Sequence, residues 1–105
     1  MPTPYAPAQP DRSSIDASSG LVALEFGTDW CGHCQAAAPK ITAALAACPD
    51  ARHIKVEDGS GRPLGRSFRI KLWPTLVVLR DGKEVARVTR PASEAEVREA
   101  LQAPG

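Results

Sequence analysis

Aromatic residues make up only 5% of this sequence, and no apolar run approaches the roughly 18 residues that a membrane-spanning helix requires. Charge of one sign is also missing. With 13 basic and 12 acidic residues the formal net charge is +1, and no basic block stands out. That balance gives no support for a nucleic-acid partner or a membrane surface. Cysteine is scarce, and Cys31, Cys34 and Cys48 are an odd number, too few for a secreted disulfide framework. The opening residues, MPTPYAPAQP, have neither a basic start nor an apolar core, so no secretory signal is visible. A reducing cytoplasm is the expected compartment. What remains is ordinary: 105 residues, 43% hydrophobic and 24% charged, enough for one soluble domain with its own core.

Residues 1–20 carry Pro2, Pro4, Pro7 and Pro10, followed by Ser13, Ser14, Ser18 and Ser19. Proline removes backbone donors and few large apolar side chains are present, so this segment reads as an extended or mobile tail. Within it, one short turn is expected to dock through Ile15. Residues 21–105 read as the domain proper. Leu21–Phe26 is a short, mostly apolar run ending at Gly27, which predicts a buried strand. A helix is predicted over Gly32–Cys48, where Cys34, Ala38, Ile41, Leu45 and Cys48 fall on one stripe. Pro39 should kink that helix without ending it.

Further along, Arg52–Val56 predicts a strand, Pro63–Arg69 a short helix after a glycine-rich loop, and Thr75–Leu79 a buried strand. Asp81-Gly82 is a strong hairpin signal, with Lys83–Thr89 returning antiparallel. Ser93 and Glu96 have capping-box spacing ahead of a helix whose apolar stripe is Val97, Ala100 and Leu101. The order is β-α-β-α-β-β-α. It predicts an α/β fold with a parallel core and an antiparallel edge strand.

The chemistry concentrates in TDWCGHC, residues 28–34. Cys31 opens the helix, where unpaired N–H groups and the helix dipole favour negative charge. The thiolate is the reactive form of cysteine, so this position activates Cys31, and His33 beside it can add positive charge. Cys34 lies on the buried stripe and should stay protonated. An exposed nucleophile followed by a buried resolving thiol suits thiol–disulfide exchange.

Two other readings compete. A zinc site needs four ligands. Cys48 lies 14 residues along the helix from Cys34, roughly 21 Å away, and His53 opens the next strand at the far end of the sheet, so no metal site is expected. The alternative of two inert thiols sits poorly with a CxxC at a strand-to-helix junction. Cys48 itself reads as an inert, buried helix residue.

Glu25 is out of place inside an apolar strand. Burial should push its pKa up, toward a range useful for moving protons. Lys55 in the next strand could lie beside it. Either the two form a buried ion pair without chemistry, or Glu25, through a water, takes the proton of Cys34.

Glu25-Phe26, Trp30-Cys31-Gly32-His33-Cys34, Pro39, Trp73-Pro74-Thr75 and the Asp81-Gly82 hairpin together resemble the thioredoxin superfamily over about residues 21–103. The CGHC motif is similar to that of protein disulfide isomerase domains. The resemblance implies a thioredoxin fold, a central mixed sheet of at least four strands flanked by helices. It implies Cys31 as attacking thiol and Cys34 as resolving thiol. It also implies Glu25 as the buried acid, Lys55 as its companion, and Pro74 as a cis-proline facing the cysteines. Trp30, Gly32, Trp73, Pro74 and Thr75 would form the substrate surface, with the Trp73 backbone free to pair with an extended segment.

Two features depart from the family. Trp73 stands where a smaller residue is usual, as an apolar clamp or as a packed cap on the sheet. The proline-rich start also replaces a strand and helix common in the family, leaving the Arg52–Val56 edge either uncovered or closed by the tail. Arg90 resembles an isomerase arginine that helps the buried cysteine ionise, or it is simply solvated.

The implied function is a monomeric protein dithiol–disulfide oxidoreductase. It needs no metal or organic cofactor, acts on protein disulfides and draws electrons from a partner reductase. A non-catalytic redox-sensing or adaptor module is the alternative.

Overall fold

The computed structural model describes residues 4–104. The parts of the sequence reading that fall on Met1, Pro2, Thr3 and Gly105 lie outside the described residues. Among the described residues four strands form one sheet: β1 (Leu21–Gly27), β2 (Arg52–Glu57), β3 (Thr75–Arg80) and β4 (Lys83–Thr89). Four helices join them: α1 (Arg12–Asp16), α2 (Gly32–Ala46), α3 (Pro63–Ser67) and α4 (Glu94–Leu101). The sheet order is β2-β1-β3-β4. Of these four strands only β1 and β2 pair with each other in parallel; β3 runs antiparallel to β1, and β4 antiparallel to β3. The sheet is mixed, as the resemblance implies. The parallel core predicted from the alternation of strands and helices is corrected to a single parallel pair. Strand direction after the short α3 is set by where the chain re-enters the sheet, which alternation alone does not specify.

Local chemistry accounts for the elements. β1 and β3 are buried along nearly their whole length, as their continuous apolar runs require. The α2 sequence is rich in alanine, the strongest helix former, and the helix passes through Pro39 without a break in assignment. It ends at Ala46, two residues short of Cys48. Cys48 is therefore a half-buried turn residue packed against the core, not a helix residue. The β3–β4 hairpin turns on Asp81 and Gly82, with φ of 51° and 81°, a left-handed pair that suits Asp-Gly. At α4 the Ser93 side chain accepts from the Glu96 N–H, while the Glu96 carboxylate accepts from the Ala92 N–H.

The sheet divides the core in two. On one face Val22, Leu24 and Phe26 of β1 pack with Ile15, Val56, Leu64 and Phe68. On the other, Ala23 of β1 packs with Ala37, Ile41 and Ala44 of α2 and with Val97, Ala100 and Leu101 of α4. Strand side chains alternate between faces, so Glu25 and Gly27 share the α2 face with Ala23.

The proline-rich segment closes the sheet edge. Ala6 forms a parallel bridge to Val56, accepting from the Glu57 N–H at 2.9 Å and donating to the Lys55 carbonyl at 3.0 Å. The turn expected at Ile15 is α1, and Ile15 itself is buried.

Candidate functional site

β1 leads through Thr28, Asp29 and Trp30 directly into α2, and Cys31 is the N-cap residue of that helix. Its thiol is half-buried, while that of Cys34, one turn in, is 3% exposed. All three cysteines are free. Burial pushes the Cys31 thiol up, but several contacts outweigh it and hold its pKa below the ordinary value. These are hydrogen bonds from the Cys34 backbone N–H and thiol, one from the His33 backbone N–H, and the positive charge of Arg90. Cys34 goes the other way. Burial, more than any other influence, pushes its thiol up to about 11, and the neighbouring Cys31 sulfur adds to the rise. The two sulfurs thus differ in exposure and in protonation, one disposed to be a thiolate and the other a thiol.

His33 contributes to this through its backbone; its side chain is exposed. The charge acting on Cys31 comes from Arg90, which follows β4 and has φ of 49°. The isomerase-like reading had Arg90 serving the buried cysteine. Here its charge bears on the outer cysteine instead.

The Trp73–Pro74 peptide bond is cis. Trp73 is fixed from three sides. Its indole N–H donates to Asp58 Oδ2 at 2.8 Å, its ring meets Trp30 edge-on with centroids 5.8 Å apart, and its carbonyl accepts from Arg90 Nε at 2.8 Å. The expectation of a free Trp73 backbone is therefore corrected for the carbonyl, which an exposed arginine already occupies. Thr75 is buried, with its hydroxyl donating to the Leu72 carbonyl at 2.7 Å. Trp30 is 75% exposed, Leu72 is also exposed, and Gly32 has open space where a Cβ would stand.

Glu25 is 1% exposed. Tyr5 donates its hydroxyl to Oε2, and His53 Nε2 lies 2.8 Å from Oε1. Lys55 is the register partner of Glu25, and its ammonium sits 4.4 Å from the centroid of the Tyr5 ring. The Tyr5 hydroxyl also hydrogen-bonds the Cys34 thiol. A Cβ on Gly27 would meet Cys34 Sγ at 2.6 Å and the Tyr5 hydroxyl at 2.7 Å, so only glycine lets these groups converge. Burial and the neighbouring Glu25 raise the Tyr5 pKa and keep its hydroxyl protonated.

Tyr5, Gly27 and His53 were not singled out as site residues from the sequence. His53 was expected at the far end of the sheet, but the parallel register pairs it with Ala23, two residues from Glu25, within reach of the carboxylate. Tyr5 did carry a signal: it is the only tyrosine in the chain and stands alone among prolines.

A family model described as Thioredoxin matches residues 9–103. Among solved structures, thioredoxin 2 from Pseudomonas aeruginosa PAO1 in its reduced form is 54% identical. The match has a TM-score of 0.86 and covers 97% of this chain and 94% of that one. A thioredoxin of Chlamydia trachomatis serovar D is 39% identical over 71 residues, 67% of this chain and 69% of its own length. A thioredoxin of Geodia cydonium is 30% identical over 92 residues, covering 88% of this chain and 87% of its own.

Proposed function

We infer the mechanism from one premise: this chain belongs to the thioredoxin family and is a thiol–disulfide oxidoreductase acting on protein disulfides. The Cys31 thiolate attacks a substrate disulfide. A mixed disulfide forms, and the first substrate sulfur leaves as a thiolate. Cys34 then attacks the Cys31 sulfur, the second substrate sulfur leaves, and the proton of Cys34 passes to Glu25. The products are a reduced substrate and a Cys31–Cys34 disulfide, which a partner reductase returns to the dithiol with two electrons. The observation that carries this reading is the opposite displacement of the two thiols, Cys31 lowered and Cys34 raised to about 11.

Trp30, Gly32 and Trp73 form the substrate surface, and the buried Pro74 and Thr75 shape it from beneath. Support comes from the exposed Trp30, the open space at Gly32 and the adjoining cis-proline. An extended segment pairing with the Trp73 carbonyl displaces Arg90, which is exposed and free to swing away. Lys55, opposite Glu25 in register, keeps positive charge near the carboxylate. The working unit in this reading is the monomer, because one fold brings the dithiol, the buried acid and the cis-proline together. Among the described residues no helix is long and apolar enough to cross a membrane. The small, odd number of cysteines fits a reducing cytoplasm, where the protein acts as a reductase.

Insulin reduction with an external dithiol tests the function. Turnover above the dithiol blank, lost in Cys31→Ser, is expected, and Cys34→Ser should accumulate targets as mixed disulfides. Turnover no faster than the blank favours a non-catalytic adaptor. A stabilised Cys31 thiolate favours the reduced form, so the potential should be less negative than the reference thioredoxin value of about −270 mV. Equilibration with glutathione measures it, and a value at or below that reference contradicts the role given to Cys31.

A further inference from the structure

The Glu25 carboxylate stands behind the resolving cysteine, and the group that touches both is the hydroxyl of Tyr5. Tyr5 comes from the N-terminal segment, 20 residues before Glu25 in sequence. It is held in place by its neighbours. The Tyr5 N–H donates to Asp29 Oδ1 at 3.0 Å, and Ala6 is bridged to β2. On the far side of the carboxylate, the His53 side chain is 27% exposed and reaches Oε1. A line of hydrogen-bonding groups therefore runs from Cys34 through Tyr5 and Glu25 to His53 and solvent.

We propose that the Tyr5 hydroxyl carries the proton between Cys34 and Glu25, in the place where a water was expected, and that His53 is a positioning residue that fixes the receiving carboxylate. The proposal rests on the dithiol mechanism above and adds the route of its proton. In the resolving step the Cys34 thiol gives its proton to Tyr5 Oη while Tyr5 gives its own to Glu25 Oε2. The Cys34 sulfur bonds to that of Cys31, the bond from Cys31 to substrate breaks, and its electron pair leaves on the substrate thiolate. When the Cys31–Cys34 disulfide is later reduced, Cys34 leaves as a thiolate and recovers the proton from Glu25 by the same path.

Tyr5 gains one proton as it loses another and never stands as a tyrosinate. Burial and the Glu25 charge hold it protonated, which suits a carrier and not a store. The charged and titratable groups around it are Glu25 on β1, Cys34 on α2, Lys55 over its ring on β2, and Asp29 on its own backbone N–H. Glu25 accepts the proton of the hydroxyl, and Cys34 is its other hydrogen-bond partner.

Dithiobisnitrobenzoate separates the two steps, because Cys31 attack releases one coloured thiolate and Cys34 attack a second. Tyr5→Phe keeps the ring and the Ala6 bridge and removes only the hydroxyl. The first release should be unchanged, which also reports a folded site, and the second should slow by about 100-fold, a typical effect for a positioned proton-transfer group. An unchanged second release overturns the relay, and so does equal slowing of both releases, which marks a structural role. Glu25→Gln should slow the second release as well, and the double variant should be no slower than Glu25→Gln alone. If Glu25→Gln slows it and Tyr5→Phe does not, the relay fails while the dithiol mechanism stands. If the wild-type protein releases no second thiolate, the mechanism itself fails. His53→Leu should slow the second release and His53→Gln, which keeps a donor to Oε1, should restore it. No effect of His53→Leu overturns the positioning role.

Discussion

On one face of β1, Val22, Leu24 and Phe26 meet the large side chains of α1 and α3. On the other, Ala23, Glu25 and Gly27 meet α2 and the resolving cysteine. The strand is the same, and its backbone pairs on both sides. The first face is filled with carbon, and a loss there is a loss of stability. The second carries small residues and a carboxylate, and the room they leave is taken by Cys34 and the Tyr5 hydroxyl. A period of two residues lets one strand anchor the fold and line the site without either task constraining the other.

That contrast can be broken from either side. Phe26 is fully buried, with its ring 5.8 Å from that of Phe68. Phe26→Ala should cost about 3–5 kcal/mol in urea unfolding while leaving disulfide turnover per folded molecule near wild type. A matching loss of turnover would show that the packing face also tunes the chemistry.

Gly27→Ala on the opposite face should cost less, about 1–3 kcal/mol as an overpacked methyl, yet slow the resolving step by displacing Cys34 and Tyr5. Normal resolution in a folded Gly27→Ala protein would mean the close approach has no chemical purpose.

The alkylation profile reads the same contrast at the two sulfurs. Cys31 should react with iodoacetamide as a thiolate below the ordinary range of a free thiol, near about 8.5, losing reactivity only as pH falls through its lowered pKa. Cys34 should stay unreactive until pH approaches about 11. The smallest effect expected is that of Arg90→Ala. It removes one exposed charge and should move the Cys31 profile upward while leaving that of Cys34 in place. A shift in Cys34 alone would return Arg90 to the isomerase-like role.

The redox motif was legible because its signals are local. A strand ending in glycine, a CxxC opening a helix and an Asp-Gly hairpin each depend on neighbours in sequence, and the strands and helices fall within a few residues of where those signals put them. Glu25 was legible as a charge among apolar residues. Its partners were not. Finding His53 needs the β1–β2 register to the residue, since a slip of one would turn its side chain to the other face. Finding Tyr5 needs the docking of a proline-rich segment on a strand edge about 50 residues away in sequence, and its composition argues for a tail. The direction of β3 was missed for a related reason: it is settled by long-range packing.

The Ala6 bridge ties the first residues of the chain to the last step of the reaction. Proteolytic nicking between Ala8 and Gln9 would leave the sheet, the helices and every cysteine in place, yet free the Tyr5 segment to leave. Such a clipped protein should still be labelled by thiol reagents and still capture targets, but release them slowly, turning a reductase into a covalent tether.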